Sequence, residues 1–240
     1  MSFRIEHINE TDSTNYWLRE HATTSGEMVV WTDFQTAGRG QGSNRWESER
    51  GKNLTFSMLI HPQDVPAERQ FVISMAISNA IRLVLQGLTS EAVSIKWPND
   101  IYVGHRKICG ILIENRLTGH TIKDCIIGVG LNVNQREFRS DAPNPVSLAQ
   151  LTGQEYDREA LLDDILKAFQ QQSLVSPATG SEYRQHLYRR EGYHIYCDAA
   201  GSFEARMVTV EDDGHLLLCD RNGHERRYAF KEVAFKIVNS

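Results

Sequence analysis

No run of apolar residues in this sequence approaches the ~20 that a membrane span needs. The start, Met1-Ser2-Phe3-Arg4-Ile5-Glu6, lacks a basic stretch followed by an apolar core, so no secretory leader is expected. Cysteine is scarce: four residues, Cys109, Cys125, Cys197 and Cys219, with no Cys-x-x-Cys pair. That spacing argues against a zinc knuckle or a disulfide frame and points to reduced thiols in a cytoplasmic protein. A basic excess is missing too. The formal net charge is −5 over 240 residues, which disfavours a dedicated nucleic-acid binder but leaves room for a local cationic pocket. The nine histidines show no metal-ligand spacing, and neither a Ser-His-Asp nor a Cys-His arrangement emerges. There is no internal repeat and no low-complexity tract.

What is present is the composition of an ordinary globular chain, 40% hydrophobic and 24% charged. The length suits one main domain and a small second one. Phe3–Asn9 reads as a strand. Asp12-Ser13-Thr14 offers N-caps for a helix through Tyr16, Trp17, Leu18 and His21. Met28–Phe34 reads as a buried strand, and a glycine-rich polar loop runs from Gln35 to about Lys52. Asn53–His61 alternates as a strand should, with Leu54, Phe56, Met58 and Ile60 on one face. Pro66 and Glu68 open a long helix through Leu85. Val93–Trp97, Ile101–Val103, Ile108–Leu117 and Thr121–Val133 read as strands, and Asp157–Gln172 and Glu182–Arg190 as surface helices.

Strands and helices that alternate without regular βαβ spacing imply an α+β fold, a mixed sheet with helices on one side. After Gly192 the pattern changes to short strands, Tyr193–Cys197, Phe203–Glu211, Leu216–Cys219, Arg227–Phe230 and Ala234–Val238, separated by glycine turns. That is the signature of a small all-β barrel. The expected division is residues 1–190 and 191–240.

Chemistry concentrates in a few segments. Gly38-Arg39-Gly40-Gln41-Gly42-Ser43-Asn44-Arg45-Trp46 places three glycines within five residues, where backbone N–H groups can cradle an anion. Arg39 and Arg45 add forked cationic donors, and Trp46 a flat apolar surface. A mobile surface loop with solvated arginines is the alternative. Lys96-Trp97-Pro98-Asn99-Asp100 sits at a strand end. Lys107 opens a strand apolar on its inner face, either as a snorkelling edge residue or as an ammonium facing carboxylate and phosphate. Gly110 would let a ligand lie against the backbone. Gly128-Val129-Gly130-Leu131-Asn132-Val133-Asn134 combines small residues with amides, as a bulge and turn also would.

These segments together resemble the biotin–protein ligase family. The resemblance starts at Asp12-Ser13-Thr14-Asn15 and continues through Gln35-Thr36-Ala37-Gly38-Arg39-Gly40, Lys96–Asp100 and Lys107-Ile108-Cys109-Gly110-Ile111-Leu112. It ends at Gly128–Asn134. The order and spacing match along the whole expected catalytic unit, and the β-rich tail matches the family's SH3-like domain less specifically.

The resemblance implies a class II aminoacyl-tRNA synthetase-like fold and an enzyme that uses ATP to turn biotin into biotinyl-5′-AMP. Biotin then passes to a lysine of the biotinyl carrier domain of a biotin-dependent carboxylase. Ser13, Thr14, Asn15, Gln35, Gly38, Arg39, Gly40, Gln41, Lys107 and Gly110 would bind biotin. Arg39, Asn44, Arg45, Trp46, Lys96, Asn99, Asp100, Lys107 and Asn132 would bind ATP and the adenylate. Lys107, Arg39, Lys96 and Asp100 would carry the catalytic charges, Asp100 acting indirectly through Mg2+.

Two departures stand out. Relatives place an arginine where Gln41 stands and another cation near Asn44, so faster release of the intermediate is expected here. The first strand begins at Phe3, so no DNA-binding module is expected. The alternatives are a lipoate or octanoate–protein ligase of the same fold and a non-enzymatic biotin-binding protein. Monomer and homodimer are both consistent with the sequence.

Overall fold

Seven strands make the larger sheet: β1 (Arg4–Thr11), β2 (Met28–Gln35), β3 (Leu54–Ile60), β4 (Val93–Lys96), β5 (Asp100–Val103), β6 (Arg106–Thr118) and β7 (Thr121–Leu131). The computed structural model describes residues 3–21, 26–42, 44–62, 64–139 and 144–236. Strand order is β1-β2-β3-β7-β6-β5-β4. The β1–β2 pair is parallel and the other neighbours are antiparallel, so the sheet is mixed, as expected. Five helices accompany it among the described residues: α1 (Thr14–His21), α2 (Phe71–Gln86), α3 (Leu148–Thr152), α4 (Arg158–Gln170) and α5 (Pro177–Gln185).

The alternation of β2 divides the two faces. Val29 and Trp31 join a large core with Ile73, Ile77 and Ile81 of α2, Leu162 and Ile165 of α4 and Tyr183 of α5. Met28 and Val30 point the other way and pack with Leu18 of α1 and Leu59 of β3. Most of the helical mass therefore lies on one side, and α1 covers part of the opposite face. α2 is apolar nearly all round because it is enclosed between the sheet, α4 and α5.

Local signals set most helix ends. Asp157 caps α4 by accepting from the N–H groups of Glu159 and Ala160. The long helix expected from Pro66 begins as a 3-10 turn, Ala67–Arg69, before α2. The helix expected at Glu182–Arg190 lies earlier, as α5, because Ser176 caps it and Pro177 fills its first turn. Beyond α5 the chain extends along β4. The Ile95 N–H donates to the His186 carbonyl and the Tyr188 N–H to the Ile95 carbonyl, which covers that sheet edge. α3 was not expected. Its signal is a capping box, Ser147 with Gln150, closed by Gly153 at φ 76°.

The smaller sheet contains β8 (Tyr193–Asp198), β9 (Gly201–Val210), β10 (Leu216–Asp220), β11 (Glu225–Tyr228) and β12 (Ala234–Phe235). It is antiparallel, in the order β11-β10-β9-β8-β12. The last expected strand is shorter than anticipated, and Val238 lies outside the described residues. This sheet docks on the larger unit. The buried Trp97 indole donates to the Gly214 carbonyl at 2.9 Å and meets the Phe230 ring edge-on at 6.0 Å. Gly214, at φ 95°, is required there, since a Cβ would stand 2.7 Å from the Phe71 ring.

Candidate active site

The face that carries α1 turns polar and bare beyond the helix. Alternation sends Phe56, Ile127 and Val129 into the core. It leaves Thr55 of β3, Gly128 and Gly130 of β7, and Gly110 and Leu112 of β6 as the floor of a cavity of roughly 360 Å³. The α1 N-terminus, the Gly38–Trp46 segment, the turn between β4 and β5 and the β11–β12 turn form its walls.

One end offers uncharged hydrogen-bonding groups. The Thr14 N–H donates to Gln35 Oε1 at 2.8 Å. The Thr14 and Ser57 hydroxyls meet at 2.7 Å, and Ser57 donates to Asn15 Oδ1 at 2.6 Å. Asn15 Nδ2 donates to Glu114 Oε2 at 2.8 Å. Asn15 fits because β7 has no side chain beneath it: a Cβ on Gly128 would lie 2.2 Å from Asn15 Oδ1. Ser13, Thr14 and Asn15 are all buried, so their polar atoms are held within a fixed network.

The other end is charged. Lys107 Nζ lies 2.7 Å from Asp100 Oδ1, and Lys96 Nζ 3.7 Å from Asp100 Oδ2. Lys96 also lies over the rings of Tyr102 and Phe235, at 5.5 and 5.1 Å. Burial lowers the Lys96 pKa below its ordinary value, with Asp100 opposing and Lys107 and Arg189 reinforcing the shift. The Lys107 backbone is pinned on both sides, its N–H donating to the Asn144 carbonyl and its carbonyl accepting from the Val146 N–H. Asn99 donates its side-chain amide to the Ile111 carbonyl and accepts the Ile111 N–H, which fixes the turn that aims Asp100.

The glycine-rich segment is a small hairpin. The Trp46 N–H donates to the Gly38 carbonyl at 3.0 Å, the Gly40 N–H to the Asn44 carbonyl at 2.8 Å, and Arg39 and Arg45 form an antiparallel bridge. The hairpin lays the Trp46 indole on the bare floor, where a Cβ on Gly130 would come within 2.2 Å of the ring. Trp46 Nε1 is buried and has no acceptor among the described residues. Lys107 Nζ stands 5.9 Å from the ring centroid. Arg39 pairs with Glu114 at 3.3 Å, and Arg19 with the same oxygen at 2.9 Å.

Of the residues singled out in the sequence, Ser13, Thr14, Asn15, Gln35, Arg39, Gly40, Gln41, Asn44, Arg45, Trp46, Lys96, Asn99, Asp100, Lys107 and Gly110 line this one cavity. Gly38 and Asn132 do not. Gly38 belongs to the hairpin's own base, where a Cβ would stand 2.5 Å from the Trp46 carbonyl oxygen. Asn132 is buried, and its amide donates to the Val146 carbonyl at 3.1 Å, so it reaches the site only through the segment that pins Lys107.

Sequence reasoning missed Glu114, Ser57 and the contribution of the smaller sheet through Phe230, Lys231, Val233, Ala234 and Phe235. The alternation of β6 could have placed Glu114 on the face of Gly110 and Leu112. Nothing local announces the last group, which arrives by tertiary docking. Among the described residues, Glu211, Asp213 and His215 have ligand atoms within 4.8 Å of one another, but they belong to the smaller sheet and Arg227 spans the two carboxylates.

Comparison with known proteins gives a consistent result. The sequence pattern described as "Biotin/lipoate A/B protein ligase family" matches residues 5–132. The bifunctional ligase/repressor BirA of Bacillus subtilis is 29% identical over 235 residues, 92% of this chain and 70% of that protein. The biotin–[acetyl-CoA-carboxylase] ligase of Paracoccus denitrificans is 31% identical over 170 residues, 68% of this chain and 70% of that protein. In fold, the chain is similar to the biotin protein ligase of Aquifex aeolicus in complex with biotin and ATP. The TM-score is 0.79 at 24% identity, covering 97% of this chain and 98% of the other.

Proposed function

This chain belongs to the biotin/lipoate A/B protein ligase family, and we propose that it is an ATP-dependent biotin–protein ligase that works at the cavity described above. The observation that carries the reading is the polarity of that cavity. Neutral hydrogen-bonding side chains, Thr14, Asn15 and Gln35, with Glu114 and its arginines beside Asn15, share the cavity and the Trp46 indole with the ammonium and carboxylate groups of Lys107, Asp100 and Lys96. A ligand with a polar neutral head, an apolar chain and a terminal carboxylate fits such a cavity. The names of the relatives supply biotin as that ligand and ATP as its partner.

The chemistry requires two anions to meet. A carboxylate oxygen of biotin attacks the α-phosphorus of ATP, an O–P bond forms, and pyrophosphate leaves. Lys107 and Arg39 hold the carboxylate and the α-phosphate together, while Lys96 and Arg45 offset charge on the leaving phosphates. The buried Trp46 Nε1–H would find its acceptor on the ligand. The hairpin then covers the mixed anhydride from water. In the second step an acceptor lysine amine attacks the acyl carbon and AMP leaves, so no nucleophile from this chain is needed.

Asp100 is the one carboxylate on the cavity wall among the described residues, and both its oxygens face ammonium groups. Asp100 is the residue that would hold Mg2+, indirectly because its own oxygens are engaged by Lys96 and Lys107. When bound, the ion would neutralise phosphate charge.

Residues 1–190 form the catalytic unit in this proposal, and residues 191–240 the small all-β unit. The acceptor is the biotinyl carrier domain of a carboxylase, and the setting is cytoplasmic. Among the described residues, no helix is long and apolar enough to cross a membrane.

Incubation with ATP, biotin and an isolated carrier domain tests the proposal. Mass spectrometry should find one biotinyl group on a carrier lysine. A lipoyl or octanoyl group instead, with those acids supplied in parallel, would transfer the chain to the other branch of its family.

A further inference from the structure

The glycine-rich hairpin has Gln41 and Asn44 at places where the family resemblance leads one to expect cations. The structure brings a cation to the same place from elsewhere. Lys231, in the turn between β11 and β12, lines the cavity, and its ammonium lies against Gly42. A Cβ built on Gly42 would stand 2.8 Å from Lys231 Nζ. No ion pair of Lys231 is found among the described residues, whereas Arg39, Lys96 and Lys107 each face a carboxylate.

The backbone shows that this placement is costly. Residues 229–232 form a tight turn in which the Glu232 N–H donates to the Ala229 carbonyl at 3.2 Å. Lys231 occupies its third position at φ 71°, a left-handed conformation that glycine or asparagine adopts readily and lysine rarely does. The turn is held firmly. The Ala229 N–H donates to the Glu232 carboxylate at 2.7 Å, Phe230 packs on Trp97, and Val233 is buried. A strained lysine that makes no ion pair among the described residues, directed at a phosphate-cradling loop, has its rationale in a ligand.

We propose that Lys231 is a phosphate-binding residue: it delivers an ammonium from the smaller sheet to the nucleotide phosphates held by the Gly38–Trp46 hairpin, in place of the cations absent at Gln41 and Asn44. The inference rests on the functional reading above for the identity of the nucleotide. It makes the smaller sheet part of the nucleotide site, with Lys231 already set against the hairpin at Gly42.

The backbone strain makes the test discriminating. Lys231→Gly and Lys231→Asn both suit a left-handed turn, so both should fold with a melting temperature equal to or above that of the starting protein. Both should nevertheless weaken ATP binding, read by calorimetry, by roughly tenfold or more, the scale of one charge-assisted hydrogen bond. Lys231→Arg should retain most of the affinity, and the affinity for biotin alone should not change. ATP binding by Lys231→Gly equal to that of the starting protein would overturn the proposal. Because ATP binding is read directly, the result stands whichever acid the enzyme activates. Failure of biotin to support catalysis would count against the functional reading and not against Lys231.

Discussion

Gly110 of β6 and Gly130 of β7 are direct partners across their strand pair, and the Trp46 indole lies over both. Two glycines side by side on one face remove the floor that side chains would provide and let a large ring rest on backbone. A Cβ at position 130 would come within 2.2 Å of the ring, against 3.2 Å at position 110. Gly130→Ala should therefore lift the indole and misplace the hairpin. We expect adenylation to fall by about 100-fold, the scale of a misplacement near 1 Å. The overpacking should cost about 1–3 kcal/mol of stability. Gly110→Ala should be milder in both. Steady-state kinetics with thermal melts would check the order.

Lys96 should set an alkaline limit on activity. Burial lowers its pKa from the ordinary 10.5, so between that lowered value and 10.5 the unfolded chain holds more protons than the folded one. The Lys96 contribution to stability therefore rises as pH rises through this window. Activity moves the other way, because neutral Lys96 offers no charge to phosphate. The rate should fall on an alkaline limb that starts below pH 10.5. Lys96→Arg keeps its charge and should move the limb upward. Coincident limbs in the two pH profiles would exclude Lys96 as their source.

Glu114 organises the uncharged end through Asn15 and the hairpin through Arg39. Glu114→Ala leaves the buried Asn15 amide without its acceptor, a loss of about 1–3 kcal/mol. The half-exposed Arg39 and Arg19 pairs add little to stability. We expect KM for biotin to rise about tenfold with a smaller change in kcat, and Glu114→Gln, which can still accept from Asn15, to recover most of it.

Removal of residues after Arg190 should abolish the first step as well as the second. Phe230, Lys231 and Phe235 line the cavity, and Phe235 lies over Lys96 at 5.1 Å. The deletion also strips Trp97 of its Gly214 partner. A truncated chain that still makes the acyl-adenylate at the full rate would assign the smaller sheet to the acceptor alone.

The larger sheet was legible because its strands are short β-branched and apolar runs bounded by turn residues, and α4 carries a local cap at Asp157. The expected position of α5 slipped because the arginine-bearing stretch Glu182–Arg190 does not itself show where a helix stops. Its end is set by the pairing of residues 186–188 with Ile95, a contact between segments some ninety residues apart in sequence. The same physics divides the site. Residues on the glycine hairpin and on strands β6 and β7 stand out through their composition. Asn132, expected at the adenylate from the family resemblance, donates its amide to the Val146 carbonyl beside the segment that pins Lys107. Lys231 was invisible, since a lysine in a turn has no local signal to distinguish it from a solvated one.

The central claim, that this cavity activates biotin with ATP through Lys107, is tested most directly by biotin-dependent exchange of pyrophosphate into ATP, with Lys107→Ala alongside. We predict exchange with biotin and not with lipoate or octanoate, reduced by about 100- to 1,000-fold in the variant, the scale of one lost oxyanion donor. Exchange that persists undiminished in Lys107→Ala, or that only another acid supports, would contradict the account.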